Sequence, residues 1–188
     1  MRAQSLPFVA ALVTIAFCSL SLSAKAQAAA GPGAIRIKSP SPGILSRSEA
    51  AAILPPSVFY RGQSATIQGR NSAGIKREDG KLVLVTLVDT GGYSTAVQET
   101  YQAYLLSEVP LTIGDQTLPP GAYGFGFISG DRMVVMDIGG NEILHATTTH
   151  DNNLKHPNPL QILADSTSPQ HYLLYIGRTY IRFALGAQ

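Results

Sequence analysis

The sequence predicts an all-β protein, an antiparallel β-sandwich or barrel with one short helix near the N-terminus. Residues 122–128 alternate bulky aromatic rings with small residues, as a strand with two unlike faces does, and we expect the aromatic face to be core. Residues 81–88 are strongly apolar and β-branched, which is typical of a central strand. Glycine, proline, asparagine or aspartate recurs about every ten residues, as in the turns between the short strands of a sandwich or barrel.

The first 28 residues have the pattern of a secretory signal peptide. Arg2 provides the positive start, residues 6–22 form an apolar stretch, and Ala26-Gln27-Ala28 fits the small-x-small cleavage pattern. We therefore expect a secreted or periplasmic protein of bacterial type, cleaved near Ala28. The apolar stretch is short for a bilayer, so we expect no membrane span after cleavage. An uncleaved anchor is the alternative.

The rest of the sequence divides into a lead-in and one domain. Residues 29–43 are rich in Ala, Gly, Pro and Ser, a composition typical of a flexible or extended segment. Residues 44–188 contain no internal repeat and are long enough to bury one core. We expect them to form a single β domain.

Two segments of this domain have helical features. Ser46-Arg47-Ser48-Glu49 matches a capping box, an alanine-rich run follows it, and Pro55-Pro56 ends it, which together predict a short helix. A second short helix is expected within residues 94–104, where apolar and aromatic side chains recur at helical spacing. That helix would pass into a strand near Leu105.

The strands are expected in short segments separated by turns. Residues 108–138 should form three consecutive strands with two turns, and further turns are expected at Asn71–Gly74 and Asp79-Gly80. The predicted strands are 58–61, 65–70, 81–88, 111–113, 122–128, 132–138, 142–148, 160–163, 172–176 and 179–185.

Composition excludes several kinds of function. The 14 basic residues fall to 12 once Arg2 and Lys25 are removed, against 12 acidic residues, so no basic surface for nucleic acid is expected. The only cysteine, Cys18, lies in the signal peptide, so the mature chain has no thiol for a disulfide, a metal or catalysis. No nucleophile elbow or phosphate-binding loop is present, and we expect no cofactor.

Two aspartates give the first candidate site. Asp89 begins Asp-Thr-Gly directly after an apolar strand, and Asp137 begins Asp-Ile-Gly after another. The first motif resembles the active-site loop of aspartic proteases, in which two carboxylates share a proton. Ile138, however, stands where the two-lobed enzymes have a hydroxyl residue, and a single domain of this size would need a dimer to supply two copies of Asp89. The alternative interpretation is that both aspartates accept hydrogen bonds in turns.

The histidines give a second candidate site, for a metal. Imidazole and carboxylate groups bind zinc, copper or iron, and they recur near the C-terminus. The candidate ligands are His145, His150, Asp151 and His156, with His171 further along. Because His145 and His150 would face opposite sides of a strand, only a folded loop could bring them together. The alternative is a polar loop with solvated imidazoles.

A third candidate is a ligand-binding surface. Tyr123 alternates with Gly124 and Gly126, and the glycine face of this strand permits close approach to the backbone, by a ligand or by another part of the chain. The polar loop 147–158, rich in Thr, His and Asn, is a second such surface.

The hairpin sequence Gly114–Tyr123, with Leu118-Pro119-Pro120-Gly121, resembles an L-P-x-G-x-Y hairpin of secreted bacterial domains of unknown function that are similar to β-sandwiches. That resemblance implies a fold and a compartment and no catalytic residue. We expect a non-enzymatic exported module, binding or structural, of the bacterial envelope, whose partner is an envelope protein, a glycan or a small molecule. The alternatives are a hydrolase that resembles aspartic proteases and a metal-binding protein.

Overall fold

The computed structural model describes residues 42–186. The predicted signal peptide and nearly all of the lead-in lie outside these residues. The described part contains two short helices and fourteen strands, several of only two or three residues. In chain order they are β1 (Gly43–Leu45), α1 (Arg47–Ile53), β2 (Ser57–Tyr60), β3 (Gln63–Lys76), β4 (Leu82–Val88), α2 (Thr95–Thr100), β5 (Ala103–Ser107), β6 (Leu111–Ile113), β7 (Gln116–Leu118), β8 (Gly121–Ile128), β9 (Arg132–Met136), β10 (Glu142–Thr147), β11 (Thr149–His150), β12 (Leu160–Ala164), β13 (His171–Ile176) and β14 (Thr179–Leu185).

The strands form two antiparallel sheets. The first has the order β1-β3-β4-β5-β8-β9-β10, with β2 paired to β3, and the second has the order β12-β13-β14-β6-β7, with β11 paired to β14. Neither order returns to its first strand, so the two sheets stay open and resemble a sandwich. The all-β prediction is confirmed, and of the two predicted architectures the sandwich is present. No helix within residues 42–186 is long and apolar enough to cross a membrane.

The main core lies between the two sheets. Phe125 is fully buried there, Tyr123 is 8% exposed, and Phe127 packs against the same cluster. The prediction that the aromatic face of this strand is core is therefore confirmed. From the second sheet, Leu174 and Phe183 enter the same core.

A second layer of apolar residues covers the opposite face of the first sheet. The hairpin β2–β3 and helix α2 bring Tyr60 and Tyr101 against Val134 and Met136. Helix α1 packs Ala50 and other apolar residues against Leu84 of β4. The central strands of the first sheet are thus buried on both faces, which agrees with the nearly continuous apolar sequence of β4.

Both predicted helices are present. In α1, the backbone N–H of Ser46 donates to Glu49 Oε2 at 2.9 Å and the N–H of Glu49 donates to Ser46 Oγ at 3.3 Å, which completes the capping box. The helix ends at Ile53, just before the two prolines. Helix α2 spans six residues, and the side chain of Ser94 at its N-cap makes no capping hydrogen bond.

Two local predictions were wrong. The expected turn at Asn71–Gly74 is instead part of the long strand β3, which passes through an irregularity in register between Ile67 and Ser72. Here tertiary contacts outweigh turn-forming residue types, because the buried Ser72 hydroxyl donates to Thr86 Oγ1 at 2.9 Å. Gly74 is also enclosed, since a Cβ there would lie 2.7 Å from a methyl group of Leu84.

The expected three-strand unit over residues 108–138 is divided between the sheets. β6 pairs with β7 and β14 in the second sheet, whereas β8 and β9 pair in the first. The change of sheet occurs at Pro119-Pro120, residues that have no N–H to donate to a strand ladder.

Candidate functional site

The candidate site lies on the outer face of the second sheet, the face turned away from the first sheet. Side chains alternate along β13 and β14, as they must in a strand. One set, which includes Leu174, Ile181 and Phe183, faces the main core. The other set lines a hollow of about 390 Å³ on the outer face, and its members are Leu173, Tyr175, Tyr180 and Arg182.

A tight turn fixes the register of these side chains. Gly177 has φ +60°, a left-handed conformation that glycine adopts without strain, at the turn between β13 and β14. The resulting register places Tyr175 opposite Tyr180 and Leu173 opposite Arg182. The two tyrosine rings lie 5.0 Å apart with an interplanar angle of 39°, so each ring restrains the other.

Asp151 receives two hydrogen bonds at one end of this hollow. The Tyr175 hydroxyl donates to its Oδ2 at 3.0 Å, and the Asn153 N–H donates to its Oδ1 at 2.8 Å. The Asn153 hydrogen bond is the main cause that lowers the pKa of Asp151. Burial, with the Asp151 carboxylate beside the phenol, raises the pKa of Tyr175 to about 12. At neutral pH the pair is therefore a phenol donating to a carboxylate.

Asp165 and Arg182 form an ion pair at the other end. Arg182 Nη2 lies 2.7 Å from Asp165 Oδ2, and the carboxylate side chain is 3% exposed whereas that of the arginine is 52% exposed. Asp165 Oδ1 accepts from the N–H of Thr167 at 2.8 Å and from its hydroxyl at 2.7 Å. These bonds from Thr167, and then the Arg182 charge, lower the pKa of Asp165. The buried carboxylate thus anchors an arginine whose head group faces solvent.

A second hollow of about 440 Å³ adjoins the first, and Tyr180 and Arg182 line both. Thr112, Thr147 and Thr149 also line the second hollow. We call the two hollows together the tyrosine groove. Both volumes fall within the range of ligand-binding pockets, about 300–1,000 Å³. A ligand that filled the groove would cross Tyr180 and Arg182.

The polar loop that the sequence singled out forms one border of the tyrosine groove. Its first part pairs with β14, with Thr149 opposite Tyr180. His150, Asp151, Asn152 and Asn153 line the first hollow. The Arg178 guanidinium donates to the carbonyl oxygen of Leu154 and so ties the loop to the β13–β14 turn.

The candidate metal ligands lie in different places. His145 is on β10 in the first sheet, with its Nε2 3.3 Å from Glu142 Oε2. His150 is on β11 beside Asp151, and His156 is exposed further along the loop. His171 begins β13 and shares a 2.6 Å hydrogen bond with Ser168. Among residues 42–186, no group of three or more His, Cys, Asp or Glu side chains is arranged to hold a metal ion.

The two candidate protease aspartates lie far apart within one chain. Strand order places β4 three steps from β9, about 14 Å across the sheet, and the register offsets the two aspartates by roughly 13 Å along the strands. Each carboxylate instead accepts hydrogen bonds in its own turn. Asp89 Oδ1 accepts from the N–H of Gly91 at 3.0 Å, and Asp137 accepts from the N–H and the side-chain amide of Asn141, both at 2.9 Å.

The glycine face of β8 is covered by the chain itself. A Cβ at Gly124 would lie 2.4 Å from the Tyr101 ring, and one at Gly126 would lie 2.3 Å from the carbonyl oxygen of Thr100. Tyr123 faces the other way, into the main core, and its hydroxyl donates to the carbonyl oxygen of Pro119 at 2.8 Å. The close approach that the glycines permit is therefore made by α2 and the residue that follows it.

The residues Tyr175, Tyr180, Asp165 and Arg182 are not among the site residues that the sequence predicts. The signal that could have found them is alternation. In Thr179–Leu185, Ile181 and Phe183 are the apolar set, which places Tyr180 and Arg182 on the opposite face. Comparison of the chain with family models, curated proteins and solved structures gives no match.

Proposed function

We propose that the protein is a non-enzymatic binding module that holds a ligand in the tyrosine groove. The observation that carries this proposal is the position of the Tyr175–Tyr180 pair, with 5.0 Å between rings, among polar side chains in a concave surface. The half-buried Tyr180 ring offers contact area, and the Tyr175 ring, only 3% exposed, supports it from below. An aromatic surface with a few oriented polar groups is what ligand sites commonly contain.

The groove is held in shape before any ligand arrives. Tyr175 is fixed by Asp151, Arg182 by Asp165, and the bordering loop by Arg178. Groups that are already ordered lose little conformational freedom on binding, so more of the contact energy remains as affinity.

The lowered pKa values of the Asp151 and Asp165 carboxylates favour a binding role over acid–base catalysis. Hydrogen bonds lower the pKa values of both Asp151 and Asp165. A general base works best when its pKa is near the working pH, and these two carboxylates are shifted away from neutrality. Their role in this proposal is to accept hydrogen bonds and orient neighbouring side chains.

We place this module outside the cytoplasm, in the bacterial envelope or the medium. The support is the pattern of residues 1–28, with Arg2, an apolar stretch and small residues before Ala28. Expression with the full sequence, followed by intact-mass measurement of periplasmic and culture-medium fractions, should give a chain that begins near Ala29. Full-length protein in the cytosol alone would contradict the proposal.

A fragment titration tests the groove without knowledge of the ligand. Small polar and aromatic fragments added to ¹⁵N-labelled protein should shift the amide signals of residues 149–153 and 171–182. The Tyr180→Ala variant should lose these shifts, whereas Tyr104→Ala, which removes a half-buried ring from the first sheet, should retain them. Shifts concentrated elsewhere, or unchanged in Tyr180→Ala, would refute the groove as the binding site.

A further inference from the structure

The charges of the side chains in the tyrosine groove are balanced by neighbouring groups of the protein. Asp165 is paired with Arg182 at 2.7 Å. Asp151 accepts from Tyr175 and from the Asn153 N–H, and the charge of Arg178 acts on it as well. Local pairing of this kind leaves a weak net field, which gives little advantage to a strongly anionic or cationic ligand.

The same side chains can still accept and donate further hydrogen bonds. A carboxylate has about four acceptor positions, and the two hydrogen bonds described above leave Asp151 with further ones. Arg182 binds Asp165 and Thr167 through Nη2, and the head group, half exposed, has other N–H groups to donate. A ligand hydroxyl both donates and accepts, so a polyhydroxylated ligand satisfies both kinds of group.

Tyr180 provides an apolar surface at the centre of the groove. Its ring is half-buried, restrained by Tyr175, and lines both hollows. An aromatic ring beside polar groups suits a ligand that has an apolar C–H face and a hydroxylated rim, as a pyranose ring has. Because the two hollows share this ring, a ligand with more than one such unit fills the groove better than a single unit.

From these three features we propose that the tyrosine groove binds a neutral oligosaccharide, with one sugar unit packed against Tyr180 and its hydroxyl groups bonded to Asp151 and Arg182. This inference rests on the proposed binding function and specifies its ligand class. Two adjacent hollows of about 440 and 390 Å³ on either side of one ring give room for neighbouring units of the same chain.

An array of neutral glycans, probed with the labelled mature protein, tests the ligand class. Polygalacturonate and chitosan oligosaccharides on the same array serve as anionic and cationic probes. We expect binding to neutral oligosaccharides, stronger for a trisaccharide than for its monosaccharide by calorimetry. Tyr180→Ala should weaken the affinity by about tenfold or more, as truncation of a central aromatic residue does at binding surfaces. Tyr180→Phe, which keeps the ring, and Tyr104→Ala should retain it.

Three results would overturn the inference: no neutral glycan bound, only a charged polymer bound, or a bound neutral glycan whose affinity is unchanged in Tyr180→Ala. Circular dichroism and thermal melting of each variant show that it is folded. The fragment titration separates the two proposals. If fragments shift the groove residues and no neutral glycan binds, the ligand class is wrong and the binding function stands. If the groove residues do not respond to fragments or glycans, both are wrong.

Discussion

Tyrosine has three different roles in this protein, set by what surrounds each ring. Tyr101 is fully buried, stacks on Tyr60 with ring centroids 4.0 Å apart, and has its pKa raised by burial. Tyr175 donates to a carboxylate, and Tyr180 stands half-exposed between two hollows. The sequence shows the abundance of tyrosine, and alternation along β13 and β14 places both Tyr175 and Tyr180 on the outer face, so alternation alone does not separate the second role from the third.

Position 124 should accept only glycine without loss of stability, because the Tyr101 ring packs directly against it. In Gly124→Ala the new methyl group would lie 2.4 Å from that ring, so the ring or α2 must shift. We expect a loss of about 1–3 kcal/mol in the free energy of unfolding, typical of overpacking in a core, measured by chemical denaturation. Gly92→Ala is the matched control because no atom lies within 4 Å of its added methyl group. Equal stability of both variants would show that Tyr101 does not restrict the site.

The ion pair of Asp165 should make stability depend on pH in the acid range. The folded-state pKa of Asp165 is lowered, first by Thr167 and then by Arg182, so its contribution is present above the unfolded pKa of about 3.9 and is lost as pH falls through the folded value. We expect Asp165→Asn to be less stable than the wild type at pH 6, with a difference that shrinks as the pH is lowered below 4.

Denaturation curves at several pH values measure this difference. Asp115→Asn, a change to an exposed carboxylate in the turn between β6 and β7, is the control and should show a small difference at every pH. A stability difference for Asp165→Asn that is constant from pH 6 to the acid range would contradict the assignment.

Short elements depend on their ends as much as on their interiors. Helix α1 has seven residues, too few to be stable alone, and it is held by its capping box and by Ala50, which is fully buried. The β13–β14 hairpin depends similarly on Gly177 for its register, and a slip by one residue would exchange the core and groove faces.

A substitution of Ser46 tests whether the capping box stabilises α1. Ser46→Ala removes the hydroxyl that accepts from the N–H of Glu49, and we expect a loss of about 1 kcal/mol in the free energy of unfolding. Ser129→Ala, in the exposed turn between β8 and β9, is the control and should change stability little. A loss in Ser46→Ala no greater than in the control would show that the cap does not stabilise the helix.

Features of the fold that depend on neighbouring residues could be predicted from the sequence, whereas features that depend on distant contacts could not. The capping box of α1 and the turn at Asp79-Gly80 depend on neighbouring residues, and both are present, with the N–H of Arg77 donating to the carbonyl oxygen of Lys81 at 2.9 Å. Strand β3 continues through Asn71–Gly74 because of a contact with Thr86, which lies 14 residues after Ser72 in the sequence. The residue types of Asn71–Gly74 by themselves do not indicate that contact.

The tyrosine groove was harder to predict for the same reason. Tyr175 and Asp151 are 24 residues apart, and Asp165 and Arg182 meet only because strands β12, β13 and β14 lie side by side. The sequence did identify the polar loop as a surface of interest, and the loop does border the groove. It could not show which strand residues the loop would face.

The two sheets share one main core, and this should make the described domain unfold as a single unit. Phe125 of the first sheet and Phe183 of the second belong to the same buried cluster, so unfolding of either sheet would expose the main core of the other. The chain has no tryptophan, and tyrosine emission can report on both sheets. We expect denaturant curves from tyrosine fluorescence and from far-ultraviolet circular dichroism to coincide.

Phe125→Ala, at 0% exposure, should move both curves by the same amount, equivalent to a loss of about 3–5 kcal/mol in the free energy of unfolding. Phe59→Ala, at a ring that is 61% exposed, should move them little. Two separate transitions, or a shift in one probe alone, would mean that the sheets are independent despite their shared core.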